Sequence, residues 1–393
     1  MEIISYKYAI PYIIFFLYLV LLMFWEFFYL EKYESIRIIR WLTIFGFLFF
    51  FGLRGFVGTD WYYYYPFFNS VGTFWSGGFL NSFSSPYEIG FTLYTILVKS
   101  IWPNYFFWIF INSFLDIVLL NIIFKRYSKY YVLAVIIFLS FNGFIMEINL
   151  MRNVKSILLF LLSINYLQQR RIVPYMLLNL LGASIHFSSI IYLPLYFILH
   201  REIPKITLWI LFIIGILIFL FQVEYIKPIM SFFADIFGGR LSSKVNAYFE
   251  YKYYNQYKVF SLGFIERVLT FILFMKLKPL LVKQNKFNNI LFNIFILFLI
   301  CCFYIAEASE VSTRLATLFV CAYWILFPNI LSVIKKKINL QLLFVLLICI
   351  SVLKTSLYNS YLFKYDNHMF GIEEYEVRKE KFDKYSNTGI IKK

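Results

Sequence analysis

The sequence predicts an all-α, polytopic integral membrane protein, and three observations carry that prediction. Of its 393 residues, 61% are apolar and only 15% charged, and the mean hydropathy is +0.73. Apolar runs of roughly 18–22 residues recur along the chain, the length that spans a hydrocarbon core about 30 Å thick. Short segments rich in Lys and Arg separate the runs, the pattern that sets orientation in a bilayer. No soluble domain needs this balance.

The first run, Tyr8 to Leu30, is too long for a signal-peptide core and lacks a small-residue cleavage site, so it reads as a retained span. Further runs place spans at 37–53, 104–124, 130–147, 153–169, 205–223, 259–277, 288–306, 314–334 and 338–357. Residues 88–101 are short and read as a partial or re-entrant element. Residues 172–199 carry His186 mid-way, with Pro174 and Pro194 near the ends, and read as a tight pair of short helices. Six basic loops, from Lys32, Arg37 and Arg40 to Lys335–Lys337, all face the cytoplasm in the arrangement that results. It has about twelve crossings and both termini outside.

Residues 1–358 then form one transmembrane domain with external loops at 54–87 and 224–258. The mixed-charge tail, 359–393, reads as a solvated amphipathic helix or a disordered end. The net charge of +16 sits mostly in the basic loops, so it gives no nucleic-acid signal. Cys301, Cys302, Cys321 and Cys349 lie in apolar runs without metal-ligand spacing and read as small packed residues. The sequence calls for no metal and no cofactor.

The predicted external face collects the ionisable residues, which are costly near membrane depth and are by default functional candidates. Chief among these segments is FFGLRGFVGTDWYYYYPFF, Phe50 to Phe68. An interfacial belt accounts for Trp61 and the tyrosines. It does not account for Arg54, Gly55, Gly58 and Asp60.

Arg54, Arg152 and Arg314 each follow or open a predicted external helix end. Their planar, permanently charged forks suit the oxygens of a diphosphate, although any one of them could instead snorkel to headgroups. His186, in ASIHFSS, is a candidate general base or a satisfied structural group. Asp60 leads the carboxylates, ahead of Glu88, Glu147 and Glu310, as a partner for Arg54 or as the base. In the loop 224–258, Gly238 and Gly239 allow a turn before Arg240, and Tyr248, Tyr251 and Tyr254 share one side of a helix. That loop reads as a lid or acceptor-binding segment, or as membrane-surface association.

The ordered motifs resemble those of EpsG-type proteins, a branch of the Wzy-like polysaccharide polymerases. They are R-G-x-V-G-T-D-W-Y-x-Y at Arg54 to Tyr64, E-x-G-F at Glu88 to Phe91, and M-R-N-V-K-S at Met151 to Ser156. I-H-F-S-S-I-I-Y-L-P at Ile185 to Pro194 and R-L-x-x-L-F at Arg314 follow. Asn153 stands where the family usually has Gln, and Phe319 lacks the tyrosine expected before it.

The resemblance implies a metal-independent, inverting glycosyltransferase of the GT-C type at the outer face of a bacterial cytoplasmic membrane. Its substrates would be undecaprenyl-diphosphate-linked oligosaccharides. Further partners would be membrane lipids and a chain-length regulator and flippase of the same pathway, with no nucleic acid. Arg54, Arg152 and Arg314 would hold the diphosphate, and His186 or Asp60 would take the acceptor proton. Tyr63, Tyr64, Glu88, Arg240 and Tyr248 would contact sugar. An O-antigen-type ligase, or a lipid-linked oligosaccharide flippase, is the alternative.

Overall fold

In a bilayer every backbone N–H and C=O must be satisfied within its own segment, so an isolated apolar run becomes a helix. The computed structural model describes residues 4–29, 33–76, 79–237, 260–334 and 337–387, and among them it is helical, with only isolated β-bridges. In chain order the first helices are α1 (Ile10–Phe28), α2 (Tyr33–Phe47, extended by a π turn to Gly52), α3 (Trp61–Ser70) and α4 (Ile89–Ile101). They are followed by α5 (Tyr105–Tyr127), α6 (Tyr131–Phe138), α7 (Phe144–Ile148), α8 (Met151–Gln168), α9 (Ile172–Ile185) and α10 (Tyr192–Leu195). Then come α11 (Lys205–Leu220), α12 (Ile226–Phe237), α13 (Leu262–Gln284) and α14 (Phe287–Tyr304). The last are α15 (Ser309–Phe319), α16 (Cys321–Val333), α17 (Lys337–Ser356) and α18 (Tyr375–Asn387).

Five of these segments are long and apolar enough to cross a membrane, or six if the bent pair α15–α16 counts as one span. Shorter apolar helices accompany them at Ile89–Ile101, Ile172–Ile185, Lys205–Leu220 and Val345–Ser356. The 172–199 stretch breaks where expected. Helix α9 ends at Ile185, His186 is extended (φ −146°, ψ 107°), and a 3-10 turn leads into α10.

Local chemistry sets several boundaries. Asn104 caps α5 by accepting from Phe106 N and Phe107 N, and Lys125 and Arg126 sit in its last turn, where cations favour the helix dipole. Glu26, buried in α1, accepts from Tyr131 N (2.8 Å) and Val132 N (3.0 Å), so α1 caps α6.

The chain divides into two compact units. The first comprises Met1–Ser163, Ile172–Leu193 and Phe327–Lys393, and the second Ile164–Arg171 and Pro194–Leu326.

The charged tail, described as far as Asn387, belongs to the first unit; it forms the helix its composition allows (α18), and the stretch before that helix is bonded to the end of α2. Gly55 N donates to Asp366 O (2.8 Å), Gly58 N to Leu362 O (2.9 Å) and His368 N to Leu53 O (2.9 Å). Asn367 Nδ2 donates to Phe49 O (2.9 Å) and Tyr365 Oη to Phe50 O (2.8 Å). The end of a helix leaves carbonyls and amides without intrahelical partners, and here the tail supplies them. Arg378 is 2% exposed, bonded to Glu373 (3.1 Å) and Lys364 O (3.0 Å), which ties α18 to the same structure.

Candidate functional site

The site grows from two close approaches in the first unit. Gly58 has φ +84°, and a side chain there would overlap Asn149 Oδ1 and Ile148. Only glycine takes that backbone conformation at little cost. Its absence of a Cβ brings the turn after α2 against the turn before α8, where Thr59 N donates to Asn149 Oδ1 (3.0 Å). Gly90 plays the matching part in α4, because a Cβ there would overlap Ser184. The start of α4, with Glu88 at its N-cap, thereby lies beside the end of α9 and His186.

Three expected site residues consequently meet on one carboxylate. Arg152 Nη1 donates to Glu88 Oε2 (2.5 Å), and Phe187 N donates to Glu88 Oε1 (3.1 Å). His186 Nδ1 lies 3.6 Å from the same Oε1, beyond hydrogen-bond length but well within electrostatic reach. Burial pulls the Glu88 carboxyl upward, but the His186 ring, the Phe187 N–H and the Arg152 charge outweigh it and hold the pKa at about 2. The side chains of Arg152, Glu88 and His186 keep 25%, 20% and 18% of their surface exposed, so all three remain open to solvent.

Arg152 is braced further. Its Nε faces Tyr64 Oη (3.4 Å), and its guanidinium lies over the Tyr87 ring, 4.8 Å from the centroid. Nη2 makes no hydrogen bond among the described residues. Asp60 is half-buried, accepts from Thr59 Oγ1 (3.0 Å) and feels the Arg152 charge. Burial raises its pKa, which suits a proton acceptor better than an ordinary aspartate. Tyr63 is 65% exposed on α3, whereas Tyr64 is buried, and burial pushes its hydroxyl pKa up.

Arg54 does not join this cluster, nor does it pair with Asp60 among the described residues. It is 3% exposed and spends its fork inward, on Phe51 O (2.5 Å), Ser113 Oγ (3.1 Å), Glu147 O (2.6 Å) and Met151 Sδ (3.3 Å). Diphosphate binding was the expectation for it. The physical reason for the difference is that the π turn ending at Gly52 leaves a free carbonyl at Phe51, and the guanidinium closes it.

Beside Arg54, Lys155 Nζ and Asp116 Oδ2 form a buried ion pair at 2.8 Å. Sequence reasoning assigned neither residue a role, although a lone aspartate inside the 104–124 run was signal enough. The Tyr87 ring was also missed, being one of many tyrosines.

The second unit holds Arg314 on α15, 70% exposed and paired with Glu310 (2.8 Å, one turn away). Glu307, in the turn before it, accepts from Tyr225 N, Ile226 N and Lys227 N at 2.8, 2.6 and 2.9 Å and so caps α12. Arg267, in α13, lies over the Phe298 ring (5.8 Å) and had no role from sequence, despite its charge inside an apolar run. Arg240 and Tyr248 lie outside the described residues.

The fold and this cluster define a multi-span helical membrane protein that presents an arginine, two carboxylates and a histidine in one unit. A search of curated proteins and one of solved structures returned no match. A family model did match, across residues 37–369, and the chain belongs to the EpsG family, which is of the polysaccharide polymerase type.

Proposed function

We propose that this protein joins undecaprenyl-diphosphate-linked oligosaccharide repeats into a surface polysaccharide at the outer face of the bacterial cytoplasmic membrane. A hydroxyl of the incoming unit attacks the anomeric carbon of the growing chain. The new C–O bond forms as the bond to the lipid diphosphate breaks, with inversion. Arginine supplies the charge that meets the leaving diphosphate, without a metal. The fold in this reading is of the GT-C type with about twelve crossings, the short apolar helices making up the number beyond the long spans.

The observation that carries the reading is the arrangement around Glu88. Arg152 is fixed by Glu88 on one side and the Tyr87 ring beneath, with Nη2 left over. A preorganised cation of this kind stabilises charge that develops on a leaving oxygen. His186 and Asp60 lie within the same electrostatic neighbourhood, and one of them takes the proton lost by the attacking hydroxyl. Tyr63 offers an exposed ring to sugar. Arg54 serves as an anchor for the turn and leaves the diphosphate to others, and Arg314 is assigned to diphosphate by its motif.

The test is a gel of surface polysaccharide from cells lacking the gene, beside cells complemented with wild type or Arg152→Ala. The expected result is loss of the ladder to a single repeat unit, restored only by wild type. Long chains stranded on their lipid carrier would point to a ligase, and lipid-linked units trapped inside to a flippase.

A further inference from the structure

The first unit holds a concavity that none of the assigned roles uses. It is a cleft of about 400 Å³ between α3 and the C-terminal segment, walled by Phe56, Tyr65, Phe106, His368, Glu374 and Tyr375. That volume lies within the about 300–1,000 Å³ of ordinary small-ligand sites.

Its walls are aromatic and held in place. Tyr65 and Tyr375 stack with centroids 4.2 Å apart, Phe56 meets Tyr375 at 5.6 Å, and His368 stands edge-on to Phe106 at 4.5 Å. The rim is acidic. Glu373 is fixed by Lys364 (2.7 Å), Lys381 (2.7 Å) and Arg378 (3.1 Å), while Glu374 is exposed.

This chemistry selects its ligand. Aromatic rings pack on the apolar faces of sugar rings, and carboxylates accept hydrogen bonds from hydroxyls.

Position supports the assignment. Phe56 and Tyr65 come from the segment that also delivers Asp60 and Tyr64 to Arg152, so one short stretch contributes to both places. The wall formed by Glu373, Glu374 and Tyr375 lies past residue 369, where the match to the family model ends.

We propose that this cleft is a saccharide subsite, which holds sugars of the polysaccharide away from the reacting bond. It rests on the polymerase reading and extends it, placing part of the sugar selectivity in a C-terminal wall outside the matched family region.

The experiment uses the full chain in lipid nanodiscs. The probe is a set of oligosaccharides of one and two repeat units, cut from the surface polysaccharide of the cells that carry the gene, with binding followed by calorimetry. The double variant His368→Ala/Glu374→Gln changes two exposed side chains, and its melting temperature should match wild type. It should bind about tenfold more weakly, the loss expected from a hydrogen bond to a charged group and a ring contact, and in cells it should shift the ladder toward short chains.

Arg152→Ala should bind the oligosaccharides like wild type while making no polymer. Equal affinity in wild type and the double variant, or no binding by wild type, would overturn the subsite and leave the polymerase reading standing. Normal polymer from Arg152→Ala would overturn the reading beneath it, independently of the calorimetry.

Discussion

Glu88→Gln separates charge from shape at the centre of the site. Glutamine keeps an oxygen that can accept from Phe187 N, but it removes the negative charge shared by Arg152 and His186. The folded-state pKa of about 2 against an ordinary 4.5 corresponds to about 3 kcal/mol. The carboxylate keeps 20% of its surface in solvent, and screening brings this nearer about 2 kcal/mol. The sign follows from the depressed pKa. On acidification the unfolded chain takes up the proton first, so the stabilisation is fully present above about 4.5 and fades as pH falls toward about 2.

Thermal melts of wild type and Glu88→Gln in nanodiscs should therefore differ at pH 7, with the gap narrowing below about pH 4.5 and closing only near about pH 2. Activity is the second readout. A released Arg152 should cost about 10²-fold in turnover, since it loses its orientation toward the leaving group. Glu88 stays ionised through the working range, so the wild-type rate should show no titration of this group between pH 5 and 8. Equal melting at pH 7 together with wild-type turnover in Glu88→Gln would refute the reasoning.

Other substitutions sort the remaining roles. Arg152→Ala should lower polymerisation by about 10²–10³-fold in a membrane assay with lipid-linked repeats, and Arg152→Lys should recover little, because lysine's compact ammonium lacks the planar fork that lies over the Tyr87 ring while one arm holds Glu88. His186→Ala and Asp60→Asn, compared across pH, should identify the base: the variant that loses the acidic limb of the rate profile held it. Arg54→Ala should reduce folded protein in the membrane by about 3 kcal/mol of lost stability, read as lower melting temperature, since Phe51 O and Glu147 O would be buried without partners. Arg314→Ala should abolish turnover at unchanged melting temperature, because its partner Glu310 is itself on the surface.

Much of the helical layout was legible because apolar runs and basic loops are written directly in composition. The sequence expectation gathered five segments, 54–60, 147–152, the His186 turn, 224–258 and 307–314, at one face; the structure brings Asp60, Arg152 and His186 of the first three near one another. What the sequence hides is direction. Arg54 and Arg152 look alike as arginines at helix ends, yet one turns onto carbonyls and the other onto a carboxylate. The tail was illegible for a related reason. Its attachment runs largely through backbone atoms of Leu362, Asp366 and His368, and backbone pairing leaves no pattern of residue types.

These contacts change how the R-G-x-V-G-T-D stretch should be understood. Arg54 closes a π turn, Gly55 and Gly58 pair with the tail, Thr59 N joins Asn149, and Trp61 Nε1 donates back to Gly58 O (3.0 Å). Of the motif's polar side chains, only those of Asp60 and Tyr64 interact with Arg152. Most of the motif therefore builds a rigid support, and few of its side chains face Arg152. A support of this kind suits the chemistry. A cation placed before the reaction stabilises developing charge without reorganising, and the placement of Arg152 depends on Glu88, Tyr64 and Tyr87 all being held in turn. In the proposed reaction, a buried neighbour such as Arg54 would act without touching substrate, by keeping the turn on which Asp60 and Tyr64 are carried.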